Sequence, residues 1–502
     1  MLFRSALVGD DARVDQLLAG LDRLPLTIEM AAARLGSMTF DDVSSALLGG
    51  PDLPQVSHRS PSRRHRSLDS LVSWSVDLLE PAQRSLFAAF SVFAGSVGAA
   101  DVGAVTGTGA DAGTLLADLA DRSLLAADLS GRASNYRMLV TVKAIATARL
   151  DADRRAPALR QRHAAHFTAA AVDADRVVRG PDEPAARARF ASMVPELRSA
   201  FAWAIEHDPA LANRLLFALQ HYSYSTFWNE PEEWAAGLIA RGGDAAGSGA
   251  RLVVAGAAAN QGKLAHARAI ASSVLDDPDP AVRATAHEIL ADVAIYAGDH
   301  DALRAHCAEL TALATERGDE HQRAISVVDL ALGETFMGDP SRALAVLDEF
   351  VVAHCSASDR AWLAYARGEA LAALADPSAS DVLSGALDLA VTIGNPFVVS
   401  VSQLALAAEH ARAGNLDKAF PVYADCLRGP PRHGNHTHAV TVLRNLAEPL
   451  VSVGAVELVV RLLAAAGTIE RGVSHGAETE QLAAVTAAVR TQVGDEIGRA
   501  HV

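Results

Sequence analysis

The sequence predicts a mainly α protein: a small helical subdomain and a winged helix with a short β-hairpin, followed by a tetratricopeptide-like α-solenoid. Three observations predict it. Aromatic residues are only 5% of the 502-residue chain, and Ala fills most apolar positions, which favours closely packed helices over strands rich in Val, Ile and aromatics. Apolar residues recur at helical spacing through most of the chain. Glycines 262, 298, 338, 414 and 454 fall at intervals of 36, 40, 76 and 40, the pattern of a repeated helical hairpin with one turn glycine missing.

Residues 1–58 read as a helical subdomain. Val14, Leu17, Leu18 and Leu21 share one helical face, and Ile28, Ala31, Ala32 and Leu35 share another after Pro25, a residue suited to a first helical turn. Thr39-Phe40-Asp41-Asp42 offers a capped, acidic start for a further helix carrying Val43, Leu47 and Leu48. From Pro51 the chain turns Pro- and Ser-rich and then basic, and residues 59–66 are assigned as a solvated linker. Residues 67–150 carry helices around Trp74, around Leu86, Phe87, Phe90 and Phe93, and over Leu115–Ala120. Two short apolar runs then flank Ser130-Gly131-Arg132, as in a hairpin wing. Residues 157–250 read as a helical connector and 251–502 as the repeat array. In that array Gly ends one helix and Asp or Asn caps the next, as in Ala297-Gly298-Asp299 and Met337-Gly338-Asp339. Asp376-Pro377 lies midway in the 76-residue interval, so about six helix pairs are expected.

Composition narrows the function. The formal charge of −16 opposes a phosphate backbone and removes the attraction that dominates nonspecific DNA affinity. No apolar run approaches the ~20 residues of a membrane span, and the first residues lack the pattern of a signal peptide. The expected location is cytoplasmic. Cys307, Cys355 and Cys426 are too few and too dispersed for a disulfide framework or a metal knuckle, and buried thiols are the expectation.

Several segments together resemble the STAND-type (NB-ARC-like) switch ATPases. Leu21-Asp22-Arg23-Leu24-Pro25-Leu26 is similar to the Gly-Leu-Pro-Leu segment that closes their nucleotide-binding module, with Arg23 in place of the glycine. Their winged-helix segment is matched in order by His65-Arg66-Ser67-Leu68, Trp74-Ser75, Ser91-Val92-Phe93-Ala94-Gly95 and Asp121-Arg122-Ser123-Leu124-Leu125. Glu196–Ala204, the aromatic run from Tyr222 to Trp234, and Leu443–Glu448 resemble parts of the family's helical array. The chain is thus identified as resembling the C-terminal part of a bacterial STAND-type transcriptional regulator of the LuxR/SARP-regulator type. The resemblance implies that Leu24, Pro25 and Leu26 would lie against a bound nucleotide, ATP or ADP, if a nucleotide module were supplied. It also implies that the winged helix is a switch element coupled to the repeats.

The phosphate-binding module itself has no counterpart. A Gly-x-x-x-x-Gly-Lys-Ser/Thr loop must place stacked amides and one Lys on phosphates. The nearest segment, Gly256 to Lys263, has five residues between its glycines and Leu264 where the hydroxyl belongs. Val274-Leu275-Asp276-Asp277 mimics a metal-binding strand end, but Pro278 and Pro280 mark it as a turn. His433, His436 and His438 form the one histidine cluster; with no fourth ligand nearby it reads as a solvated loop. The third helix of this region and its lead-in carry Asp111, Asp118 and Asp121 against Arg122, which argues against direct DNA contact. Tyr222, Tyr224, Phe227, Trp228 and Trp234 read as packing residues. No catalytic constellation stands out.

The expected function is a signal-responsive regulatory protein, not an enzyme. It would need no resident cofactor or metal and would bind a protein, a peptide or a small-molecule signal through its repeats. One alternative is a fragment of a longer ATP-dependent or cyclase-linked regulator, and the other is a DNA-binding winged-helix protein.

Overall fold

The computed structural model describes residues 14, 17–18, 25–35, 38–48, 72–131, 133–243, 247–351, 353, 355–428, 436–469, 483–487, 489 and 491. The chain forms two compact units, Met1–Thr168 with Ser192–His207, and Ala169–Ala191 with Asp208–Val502. The fold is mainly α: a small helical part with a three-stranded sheet, and a solenoid of helix pairs.

In the first unit, α1 (Pro25–Arg34) and α2 (Phe40–Leu48) lie in the N-terminal segment. Thr39 starts α2 by a reciprocal cap: its Oγ1 donates to Asp42 at 2.6 Å and accepts the Asp42 N–H at 3.3 Å. A helical segment over 72–77 and α3 (Pro81–Phe90) follow. Pro81 fits the first turn of α3 because the N–H it lacks would have no helical acceptor there. Then come β1 (Val97–Gly98), α4 (Ala99–Thr106), α5 (Ala112–Asp121), β2 (Ala126–Asp128), β3 (Asn135–Arg137) and α6 (Val140–Asp151). The sheet order is β1-β3-β2, antiparallel throughout, with Tyr136 paired to both Val97 and Ala127. The hairpin falls where the sequence places it. β1, only two residues long, carries no sequence signal and is an addition. Phe87, Phe90 and Phe93 are buried, as expected of core aromatics.

Two long helices follow, α7 (Ala156–Val178) and α8 (Glu183–His207). Within the first unit, Glu196 of α8 is buried and accepts the N–H groups of Ala94 (2.8 Å) and Gly95 (2.5 Å) and a bond from His163 Nε2 (2.7 Å). A Cβ on Gly95 would lie 3.1 Å from Pro195, so the tight Ala94-Gly95 corner fits this docking. Those contacts link two sequence blocks about 100 residues apart.

The second unit contains α9 (Pro209–Thr226) and α10 (Glu230–Gly242), followed by the repeat pairs. These are α11 (Ser248–Asn260) with α12 (Leu264–Ser272), α13 (Pro280–Ala297) with α14 (His300–Arg317), and α15 (Glu320–Met337) with α16 (Pro340–Asp348). Next come α17 (Ala357–Ala373) with α18 (Ala379–Ile393), and α19 (Pro396–Arg412) with α20 (Leu416–Arg428). The array continues through α21 (His436–Asn445), α22 (Ala447–Ser452) and α23 (Val456–Ile469). Helix starts are capped as the composition predicts: Asp279, Asp299, Asp319, Asp339 and Asn395 each accept backbone N–H groups of the turn they open.

Gly262, Gly298, Gly414 and Gly454 occupy the left-handed region, as turn glycines should. Gly338 does not: its φ is −127°, and what it avoids is a Cβ 2.4 Å from Glu334 Oε2. At the missing glycine Ala375 takes the left-handed conformation, φ 56°. Gly318 and Gly394 add a second set of left-handed turns, 76 residues apart, that close α14 and α18.

Candidate ligand cavity

The first helices of successive pairs, α13, α15, α17 and α19, turn one face toward a common space, which α9, α21 and α22 complete. The repeat places equivalent residues there: Glu288, Ile325 and Trp362 lie 37 residues apart, as do Asp292 and Asp329, and Ile295, Leu332 and Glu369. The result is a cavity of about 670 Å³ in the second unit.

Aromatic rings form much of its wall. Phe397 is the hub, with Tyr224 stacked on it at 5.1 Å, Phe227 at 5.3 Å, and Trp362 tilted against it at 5.4 Å. Tyr365 meets Trp362 edge-on at 5.7 Å. Tyr224 is therefore a cavity residue as well as a packing residue, which corrects its assignment to packing alone. Tyr222, stacked on Phe190 at 4.4 Å, and Trp228 with Trp234 keep the packing role.

Carboxylates interrupt this apolar surface. Tyr224 donates its hydroxyl proton to Asp292 at 2.8 Å, and Gln322 donates to Glu288 at 3.0 Å. Asp329 is only 5% exposed, and its Oδ2 has no hydrogen-bond partner. Burial raises the Asp292 carboxyl to about 7, with Glu288 adding to it against the Tyr224 bond. Burial, with Asp292 and Glu288 as like charges, holds Asp329 well above the usual carboxylate range. Glu369 is pushed up to about 7 by burial, against the opposing pull of Arg412 and of the Tyr365 hydroxyl. Across the cavity lining, five carboxylate residues face one Arg, Arg412, among the described residues.

One end of the cavity is bounded by a polar network in which Glu183 is fully partnered, while Arg187 Nη1 and, beside it, His321 Nε2 are left without a partner. Glu183, fully buried, accepts from Arg187 Nε at 2.6 Å and from the Ser358 backbone N–H at 2.7 Å, and the Ser358 hydroxyl also donates to it. Asn395 donates to Ser358 Oγ at 2.8 Å. Beside this network His321 Nδ1 pairs with Asp359 at 2.6 Å. Burial opposes charge on His321, but Asp359 overrides it and the net shift is upward.

The residues singled out from the sequence are placed as follows. Leu24 lies outside the described residues; Pro25 opens α1, and the side chains of Pro25 and Leu26 are outside what is described. The Gly256–Lys263 segment is the end of α11 and its turn, with Gly262 left-handed. His433 and the His436 side chain lie outside the described residues. His438 overturns the solvated-loop expectation: it belongs to α21, is 5% exposed, bonds Ser400 Oγ at 3.1 Å and packs edge-on against Phe397 at 4.9 Å. Burial depresses it to about 4. Cys307, Cys355 and Cys426 are buried free thiols, and burial raises Cys355 and Cys426 to about 11. Among the described residues no group of three or more His, Cys, Asp or Glu side chains is disposed to hold a metal ion, and no helix is long and apolar enough to cross a membrane.

Asp292, Asp329 and Glu369 were not singled out from the sequence. Their signal was available: acids flanked on both sides by apolar or Gly residues, two of them at equivalent repeat positions.

The chain matches no family model. It is 28% identical over 208 residues to proteins carrying the provisional name HTH-type transcriptional regulator, one from Mycobacterium bovis and two from strains of Mycobacterium tuberculosis. That match covers 39% of this chain and only 22% of those relatives' length. Among solved structures it is similar to a signal transduction ATPase with numerous domains (STAND) carrying a tetratricopeptide repeat sensor, from Pyrococcus horikoshii. The TM-score is 0.49 at 13% identity, over 95% of this chain and 72% of that one.

Proposed function

We propose that this chain is a signal-responsive regulatory protein that works by binding, and that the cavity in its repeat array receives the signal. The observation that carries the reading is the cavity. Its size falls within the ~300–1,000 Å³ of small-molecule sites, its wall is aromatic, and a few polar groups converge on it. The names of the mycobacterial relatives support a role in transcriptional regulation. In this reading the sheet-bearing unit is a winged-helix switch element and the repeats are the sensor. Catalysis has no part in it, and the −16 charge favours a protein or small-molecule contact over direct DNA binding.

Ala408 lines the cavity on α19 and is partly exposed to it, so Ala408→Trp fills the space without displacing core. A thermal-shift comparison of wild type and Ala408→Trp in a deproteinised, low-molecular-weight cell extract tests the reading. Stabilisation of wild type alone is expected. Equal behaviour of the two proteins would sink it.

A further inference from the structure

Resting on that reading of the cavity, we propose that its ligand is a small organic cation, an amine or quaternary ammonium on an apolar body, whose head meets Asp329 and Asp292 while its body lies against Trp362, Tyr365 and Phe397. Three independent features lead there. The first is the unpartnered carboxylate. Asp329 Oδ2 is buried in the middle of α15 with no hydrogen-bond partner, and leaving a buried carboxylate oxygen unpaired is costly to a fold. A cation is the group that this atom lacks: an amine would supply an N–H donor and the opposite charge, a quaternary ammonium the charge alone.

The second is the wall. Indole and phenol rings grouped within 5.1–5.7 Å of one another present negative π faces, and a cation over such a face gains most where water is excluded. The third is the charge balance. Arg412, the opposing cation of the lining, is already engaged by the Ala372 carbonyl at 3.0 Å and by Glu409 at 2.8 Å. His321, another basic group of the described lining, is likewise engaged, by Asp359 at 2.6 Å, so an incoming ammonium meets acids while both of these basic groups already have partners. The upward shifts at Asp292, Asp329 and Glu369 agree with this: burial, the largest cause at all three, holds the carboxyls against ionisation, and neighbouring acids add to it. An anionic ligand would add to that repulsion.

The test is isothermal titration of the full chain with phenethylamine and benzyltrimethylammonium, beside 2-phenylethanol and phenylacetate, which share the ring but carry a neutral or an anionic end. Both cations are expected to bind saturably, with the alcohol and the acid at least about tenfold weaker. Asp329→Asn should weaken the cations by about tenfold. Trp362→Leu, which keeps an apolar wall but removes the π face, should weaken benzyltrimethylammonium severalfold. Glu349→Gln, on an exposed carboxylate outside the cavity, should change nothing. Unchanged affinity in both Asp329→Asn and Trp362→Leu overturns the proposal. So does tighter binding of phenylethanol or phenylacetate; if Ala408→Trp abolishes that binding, the sensor reading survives and only the ligand class falls. If the cations fail while the cell extract still stabilises wild type, the ligand class again falls alone. Silence from all four probes and from the extract removes both.

Discussion

At the helix starts of the repeat array every described Asp cap is answered locally. Asp299 accepts from Ala302 N–H at 3.1 Å, Asp319 from Gln322 N–H at 3.0 Å and Asp339 from Ser341 N–H at 2.9 Å. Asp329, half way along α15, is more deeply buried than any of these caps, yet one of its oxygens is bonded to nothing. Glu183 at the cavity's polar end is buried still further and is satisfied by Arg187 and Ser358. The same functional group thus appears in three settings. In the caps and at Glu183 it holds the fold together; at Asp329 it works against the fold, which is where a binding site is expected to carry its cost.

The largest test of that contrast is Glu183→Ala. It leaves the Arg187 guanidinium buried beside a vacated position, and breaking one partner of a buried pair costs about 3–5 kcal/mol. Urea unfolding should show that loss; a change under about 1 kcal/mol would mean that the network is dispensable and the contrast false.

Asp329→Leu should act in the opposite direction. Replacing an unanswered buried carboxyl by an apolar side chain is expected to raise stability by about 1–2 kcal/mol while abolishing cation binding. A destabilised variant would show that Asp329 has a structural partner after all.

The same comparison sets a pH dependence. Glu369 and Asp292 hold their protons to about pH 7 in the folded chain, and Asp329 holds its proton well above the usual range. In the unfolded chain all three release theirs near pH 4. Between those values these groups bind more protons in the folded state, so their contribution to stability is full near pH 4 and falls as pH rises toward 7 and beyond. His321, raised by Asp359 against its burial, contributes with the same sign, lost as pH passes its folded value, whereas His438 and His221, depressed by burial, act with the opposite sign below about pH 6.5. Below pH 4 the trend reverses, because Asp319 and Glu334, lowered by Arg179 and Arg304 in spite of burial, give up ion pairs there. The melting temperature at pH 5 minus that at pH 7.5 should be smaller in Asp329→Leu than in wild type. An equal or larger difference in Asp329→Leu would refute the ionisation pattern assigned to Asp329.

These contrasts also explain what was legible in the sequence. Helices and their turns were, because Gly298-Asp299 or Gly338-Asp339 decides its own geometry within four residues. The hairpin was legible for the same reason. The cavity was not, since Glu288, Asp329, Trp362 and Phe397 become neighbours only through the stacking of four hairpins, and a 37-residue period says where equivalent residues lie without saying how tightly the stack curves. Asp292 and Asp329 were hidden in plain composition: an acid between apolar neighbours in a helix reads as a solvent-facing position until the facing helices are known. His438 was misread because its Pro- and Gly-rich surroundings suggested a loop, whereas it lies within α21 and packs against the ring of Phe397, far earlier in the chain. The nucleotide-facing role that the family resemblance implies for Leu24, Pro25 and Leu26 rests on residues whose side chains are not described.

The smallest test compares two turns that should be equivalent. Gly298 closes α13 at φ 70°, with the Asp299 N–H bonded back to Ala294 at 3.0 Å. Ala375 closes α17 in the same manner at φ 56°, with Asp376 N–H bonded to Leu371 at 2.9 Å. An L-residue pays about 1–2 kcal/mol in that conformation and glycine does not. Gly298→Ala should therefore cost roughly 1 kcal/mol, and Ala375→Gly should recover less than that, because glycine also loses more freedom on folding. If the two substitutions move stability in the same direction, the hairpins do not share one turn. The spacing that places Asp292 and Asp329 at equivalent positions then has no common geometry behind it.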